Sequence, residues 1–127
     1  MAEDTVTITI LGGTHPLVLP PLFAVREEVA FGVAQGEEGQ MRRALAAGIL
    51  LCCPALLKRS KLDYKAAGFS MLNFGGAAYS WLREQGASLD EVLSAGLAAV
   101  RLCAAHLSPR AEEVADRARV FPPPADG

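Results

Sequence analysis

The sequence is short of aromatic residues, of charge and of cysteine, and each shortage excludes something. Aromatic residues are 6% and charged residues 20% of its 127 residues. A net charge of −2 provides no general pull toward nucleic acid or anionic membranes. Three cysteines, two of them adjacent at Cys52 and Cys53, do not make a disulfide framework. They suit a reducing compartment, where the thiol behaves as a small hydrophobe. A long hydrophobic run is also missing. The longest apolar stretch, Ala44 to Leu57, is broken in character by Gly48 and Pro54 and falls short of the ~20 residues that cross a bilayer. Met1-Ala2-Glu3-Asp4 is acidic and lacks the basic-then-apolar order of a signal peptide. A cytoplasmic protein with no membrane partner is expected.

What is present is apolar and helix-forming. Alanine (22) and leucine (17) dominate and mean hydropathy is +0.26, high for a chain of one-domain length. Such a composition outside a membrane implies apolar surface hidden in an assembly, so a homo-oligomer or a partner-binding subunit is expected. β signal is confined to the first stretch. Val6, Ile8 and Ile10 alternate with Thr7 and Thr9, a half-buried strand. Gly12-Gly13 is read as the turn and Leu17-Val18-Leu19 as the return strand, cut short by Pro16 and Pro20. Two strands are marginal alone, so the hairpin reads as a flap whose edge is available to a neighbouring subunit.

The remainder reads as about five helices, giving a mainly α (α+β) fold: one domain over 1–121 with its hairpin at 5–19, and a flexible proline-rich tail at 122–127. A first helix opens at Pro20-Pro21, carries Leu22, Val25, Val29 and Val33, and stops at Gln35-Gly36. A second opens at Glu37-Glu38 and is apolar all round from Ala44, hence the most buried. Pro54 kinks or ends it, and Lys58-Arg59-Ser60-Lys61 marks a surface corner. Leu62 to Leu72 reads as helical, Asn73 and Gly75-Gly76 as an interruption, and Ala77 to Gly86 as the next helix. Ser88 and Glu91 form a capping box for a helix whose face is traced by Leu89, Val92, Leu93, Gly96, Leu97, Val100, Ala104 and Leu107. Ser108-Pro109 ends it and opens a last helix with Val114, Ala115 and Ala118.

Candidate chemistry is sparse. Cys103 and His106 stand at i and i+3, a spacing that can hold a metal or pair a thiol with a base, and Cys52 and Cys53 could complete a ligand set. Adjacent cysteines point to different sides of a helix, however, and no second C-x-x-C or H-x-x-H is present. Lys58, Arg59, Lys61 and Lys65 read as a solvated corner. A DNA-reading helix should open basic, yet the capped helix opens Ser88-Leu89-Asp90-Glu91. Gly12-Gly13 lacks the Lys-Ser/Thr of a phosphate loop, and Gly75-Gly76 reads as a close helix approach. Trp81, Phe69, Phe74 and Tyr79 read as core or interface. The sequence thus assigns no catalytic residue, no metal, no cofactor and no nucleic-acid partner. The expected partner or oligomer interface comprises Val6, Ile8, Ile10, Leu17, Leu19, Leu22, Phe23 and Trp81.

The order Val6-Thr7-Ile8-Thr9-Ile10, Gly12-Gly13, Leu17-Val18-Leu19-Pro20-Pro21-Leu22 resembles the start of the small tail assembly chaperones of long-tailed bacteriophages and related tail-like particles. Tyr79 to Gly96 is also similar to small helical proteins of phage tail gene clusters. The resemblance implies a small, self-associating, non-enzymatic helical protein in the host cytoplasm. Its partner would be the tape-measure protein or another tail protein, whose apolar helices it keeps soluble during tail assembly. The low charge content departs from a solubilising protein and leaves open a virion subunit in tail completion or connection. A small helical regulatory or ligand-binding domain is the third reading.

Overall fold

The computed structural model describes residues 6–32 and 38–107. The polar lead, the Gln35-Gly36 stop, the Glu37 helix start, the last expected helix and the proline-rich tail lie outside them. The chain begins with an antiparallel hairpin, β1 (Thr7–Ile10) and β2 (Gly13–Pro16). Five helices follow: α1 (Phe23–Gly32), α2 (Glu38–Leu51), α3 (Pro54–Ser60), α4 (Met71–Glu84) and α5 (Leu89–Ala105). The fold is mainly α with an N-terminal β-hairpin, as the sequence indicates.

The hairpin turn lies one residue earlier than expected. Leu11 and Gly12 take φ of +56° and +75°, and Ile10 pairs with Gly13. This is the positive-φ, two-residue loop that matches strand twist. Leu11 occupies a region L side chains disfavour, and its packing against the core offsets that cost. The return strand is therefore Gly13–Pro16 rather than Leu17–Leu19. Leu17 still continues the pairing, its N–H donating to the Val6 carbonyl at 2.8 Å. The next N–H, of Val18, donates to the Cys52 carbonyl at 2.7 Å. Thr7 and Thr9 face out, while Ile8, Ile10 and Leu17 are buried with the helices. The inner face of the hairpin is thus core, not a flap.

α2 is the central element, buried at every position from Ala44 to Leu50, and it packs against α4, α5 and α1. Two glycines set how closely its neighbours approach. A Cβ on Gly75 of α4 would stand 2.2 Å from the Arg43 carbonyl oxygen. A Cβ on Gly96 of α5 would stand 2.5 Å from Leu45 Cβ. The close approach expected of Gly75 holds, but Gly75-Gly76 lies inside α4 instead of interrupting it. Asn73 does not interrupt either: its N–H is capped by the Ser70 hydroxyl at 3.2 Å.

Two further boundaries differ from the reading of the sequence. Pro54 is the first residue of α3, where its missing N–H costs nothing, so the basic corner is the end of a short helix. α2 and α3 meet at 107°. Residues 62–70 form turns, not a helix. The Asp63 carboxylate accepts from the Lys65 N–H at 3.1 Å, an Asx turn that competes with helix, and Gly68 and Phe69 both have positive φ.

The capping box on α5 is present in both directions, Glu91 N–H to Ser88 Oγ at 3.1 Å and Ser88 N–H to Glu91 Oε1 at 2.9 Å. The buried face of α5 is rotated from the leucine-rich one expected. Val92, Ala95, Gly96, Ala99 and Cys103 face inward, and Leu97 is 41% exposed. Small residues win the inner position because the helix lies too close to α2 for leucine.

Gly75→Ala and Gly96→Ala are expected to destabilise the protein by ~1–3 kcal/mol, although alanine is the better helix former. Gly75→Ala should cost more, because a backbone carbonyl cannot rotate away. Gly39 has nothing within 4 Å of its added Cβ, so Gly39→Ala should be neutral or stabilising by up to ~1 kcal/mol. Urea denaturation of the three variants checks this.

Candidate functional site

The N-terminal end of α1 is fixed by Arg26. Its guanidinium folds back and donates from Nε to the Pro20 carbonyl at 2.7 Å and from Nη2 to the Pro21 carbonyl at 3.2 Å. Arg26 is therefore partly buried rather than on a wet face. This clamp holds the Pro-Pro corner and leaves Leu22 outside, 62% exposed.

Leu22 faces Phe69 across a hollow of about 230 Å³, walled also by Val25, Glu28 and Tyr64. Phe69 is 58% exposed with φ of +56°. A bulky residue in the left-handed region costs roughly 1–2 kcal/mol. Here it is held by its N–H to the Tyr64 carbonyl at 3.0 Å. The Tyr64 ring adds edge-on contact, with centroids at 5.5 Å, and Tyr64 itself rests edge-on against buried Phe74 at 5.4 Å. The aromatic ladder thus runs from core to surface and spends its strain on presenting Phe69 to solvent.

Glu28 also walls a second hollow of about 470 Å³, with Glu27, Phe31, Met71 and Leu72. Phe31 and Leu72 are 54% and 41% exposed. The two hollows therefore adjoin at Glu28 and form a shallow track along α1 and the start of α4, lined by exposed apolar residues and by the carboxylates of Glu27 and Glu28.

Of the eight interface residues expected from sequence, only Leu22 stands on this track. Ile8, Ile10 and Leu17 are buried within the chain, out of reach of a partner. Val6 and Leu19 pack partly against the core, Phe23 is partly buried, and Trp81 lies under the Arg59 guanidinium at 5.9 Å. Phe31 and Leu72 were not expected there, and Phe69 was read from the sequence as core or interface. For Phe31 and Leu72 a signal exists: each is a large apolar residue off its helix's buried stripe.

The cysteine and histidine positions do not converge on chemistry. Cys103 is buried against Cys52, Sγ to Sγ 3.6 Å. His106 is exposed, its Nδ1 2.9 Å from the Leu102 carbonyl of its own helix. The hydrogen bond shared with Cys52, against the effect of burial, lowers the pKa of Cys103, with the Arg26 charge acting in the same sense. The same bond, together with burial, raises that of Cys52. Among the described residues no group of three or more His, Cys, Asp or Glu side chains could hold a metal ion, and no single helix is long and apolar enough to cross a membrane. Lys58, Arg59, Lys61 and Lys65 are all exposed.

Burial, and secondarily the Glu28 charge, raise the Tyr64 phenol above its ordinary value of 10.0. A raised folded-state pKa means stability that is intact below that ordinary value and lost as pH rises through the folded one. Glu28→Gln should lower the Tyr64 pKa without returning it to normal, since burial is the larger cause. It should also soften the alkaline loss of stability. Titration of phenolate absorbance, with denaturation at matched pH, checks both. No protein-family model, curated protein or solved structure matches this chain.

Proposed function

We propose that this protein is a non-enzymatic assembly chaperone that holds an apolar helix of a partner along the Leu22–Phe69–Phe31–Leu72 track. The observation that carries this reading is Phe69: an exposed aromatic kept in a disfavoured backbone conformation by an aromatic ladder rooted in the core. Strain of that kind persists where surrounding structure over-determines it, and it clusters at functional surfaces. A shallow groove with apolar anchors suits the helix-in-groove mode. Glu28 where the hollows meet and Glu27 beside it favour a partner that carries Lys or Arg next to its apolar residues. The resemblance to tail assembly chaperones supplies the partner class, the apolar helices of a tape-measure protein, and with it a homo-oligomer in the host cytoplasm. The low charge content favours one second reading, a structural tail subunit. That reading requires the chain in purified particles, whereas a chaperone leaves before completion.

An amphipathic Leu/Lys peptide of about five helical turns is the direct probe, with a Leu/Glu peptide of equal length as control. The Leu/Lys peptide should bind and the Leu/Glu peptide should bind more weakly. Phe69→Asn keeps a residue that tolerates positive φ, so fold stability should stay within ~1 kcal/mol while binding falls by ~2 kcal/mol, about thirtyfold. Leu22→Asp should do the same. Peptide binding unaffected by both variants would remove the track from the function. A gene that does not neighbour a tape-measure gene would remove the tail assignment.

A further inference from the structure

Among the described residues, the buried thiols of Cys52 and Cys103 are a pair of reactive groups that the fold brings into contact and the proposed function leaves unused. Cys52 follows the last turn of α2 and Cys103 lies in the last turn of α5, 51 residues apart in sequence and 3.6 Å apart at sulfur. That is van der Waals contact for two sulfurs, so bond formation asks for a side-chain adjustment and no new encounter of helices. Cys53 is also buried and free, yet it is Cys52 that meets Cys103. Both residues lie in the two-residue break between α2 and α3, and it is the Cys52 sulfur that the break turns onto Cys103.

We propose that Cys52 and Cys103 are an oxidative modification site, closing to a disulfide when the protein meets a hydroperoxide. Full burial of both sulfurs closes them to any oxidant while the fold is shut, so the reaction passes through local opening and favours a small hydroperoxide over a bulky disulfide. Cys103 is the sulfur that reacts first. The hydrogen bond shared with Cys52 and, secondarily, the charge of Arg26 lower its pKa, while that of Cys52 is raised. The Cys103 thiolate attacks one peroxide oxygen. The S–O bond forms, the O–O bond breaks, and the departing hydroxide takes the proton that Cys103 released, giving water. Cys52 then attacks the sulfenic sulfur of Cys103. The S–S bond forms, the S–O bond breaks, and the second hydroxide leaves as water with the Cys52 proton. Two thiols are oxidised by two electrons and one hydroperoxide is reduced, with no other reactant.

The product ties the end of α2 to the end of α5. Closing a loop of this length restricts the unfolded chain, and the melting temperature of the oxidised form should rise by roughly 10 °C.

The full chain, reduced and then treated with hydrogen peroxide, is alkylated with iodoacetamide in denaturant and digested with trypsin. The expected product joins peptide 44–58 to peptide 102–110, with fragment ions placing the bond on Cys52. Dithiothreitol should release it. Mapping on the natural chain needs no variant to fold, and Cys53→Ser should leave the cross-link intact. Recovery of Cys103 as an alkylated thiol or a sulfinic acid with no joined peptide would overturn the proposal. So would a bond to Cys53, or a melting temperature that oxidation does not move.

Discussion

The fold depends on two helix crossings that tolerate no side chain. α4 reaches the Arg43 carbonyl through Gly75 and α5 reaches Leu45 through Gly96. These contacts fix the distance at which α2 is covered on either side, and the rest follows from that distance. Because α5 lies so close, its inner positions are filled by Ala95, Ala99 and Cys103, and its leucines are displaced toward the surface. Because α4 lies so close, Phe74 reaches the core and gives Tyr64 a ring to rest on. The aromatic that ends at the surface in Phe69 is therefore a consequence of a hydrogen atom where a methyl group would stand.

Much of this was legible where local chemistry decides. The alternation of Ile8 and Ile10 with threonine needs only a strand's period, and the Ser88–Glu91 capping box needs only four residues. The depth of α2 follows from its apolar run. Legibility failed where size outranked hydropathy. A leucine-weighted reading of α5 shared Val92 and Gly96 with the buried face but was rotated from it, because burial against a helix at close range selects small residues, not greasy ones. It failed again where a residue has two uses. Pro54 can end a helix or begin one, and only the 107° turn into α3 shows which. Phe69 is the hardest case. Its exposure rests on a backbone angle that phenylalanine rarely adopts, and the preceding Gly68 is the sole local hint.

The candidate surface and the thiol pair sit on opposite terms with the core. The Leu22–Leu72 track is held open by clamps, with Arg26 on the Pro-Pro carbonyls and Tyr64 under Phe69. Each clamp uses an interaction that saturates a polar or aromatic group internally, so the exposed residues remain apolar and uncommitted. Burial reaches the opposite result at Cys52 and Cys103, whose sulfurs meet at 3.6 Å within the core. Among the described residues no charged or polar side chain is buried in the core, which makes that pair the most chemically distinctive point within it.

The position of β1 also constrains how the protein comes into being. β1 packs on α5, and Val6 lines the same hollow as Leu102 and Ala105. β1 thus has its permanent partner almost at the far end of the described residues. At translation rates of ~5–20 residues per second, Ile8 and Ile10 wait on the order of ten seconds for the helix that covers them. During that interval a short strand with an open edge and an apolar face is presented to whatever is nearby. The brevity of the strand and its outward Thr7 and Thr9 keep it from templating extended pairing with other nascent chains. The threonines thus do their work before the native structure exists.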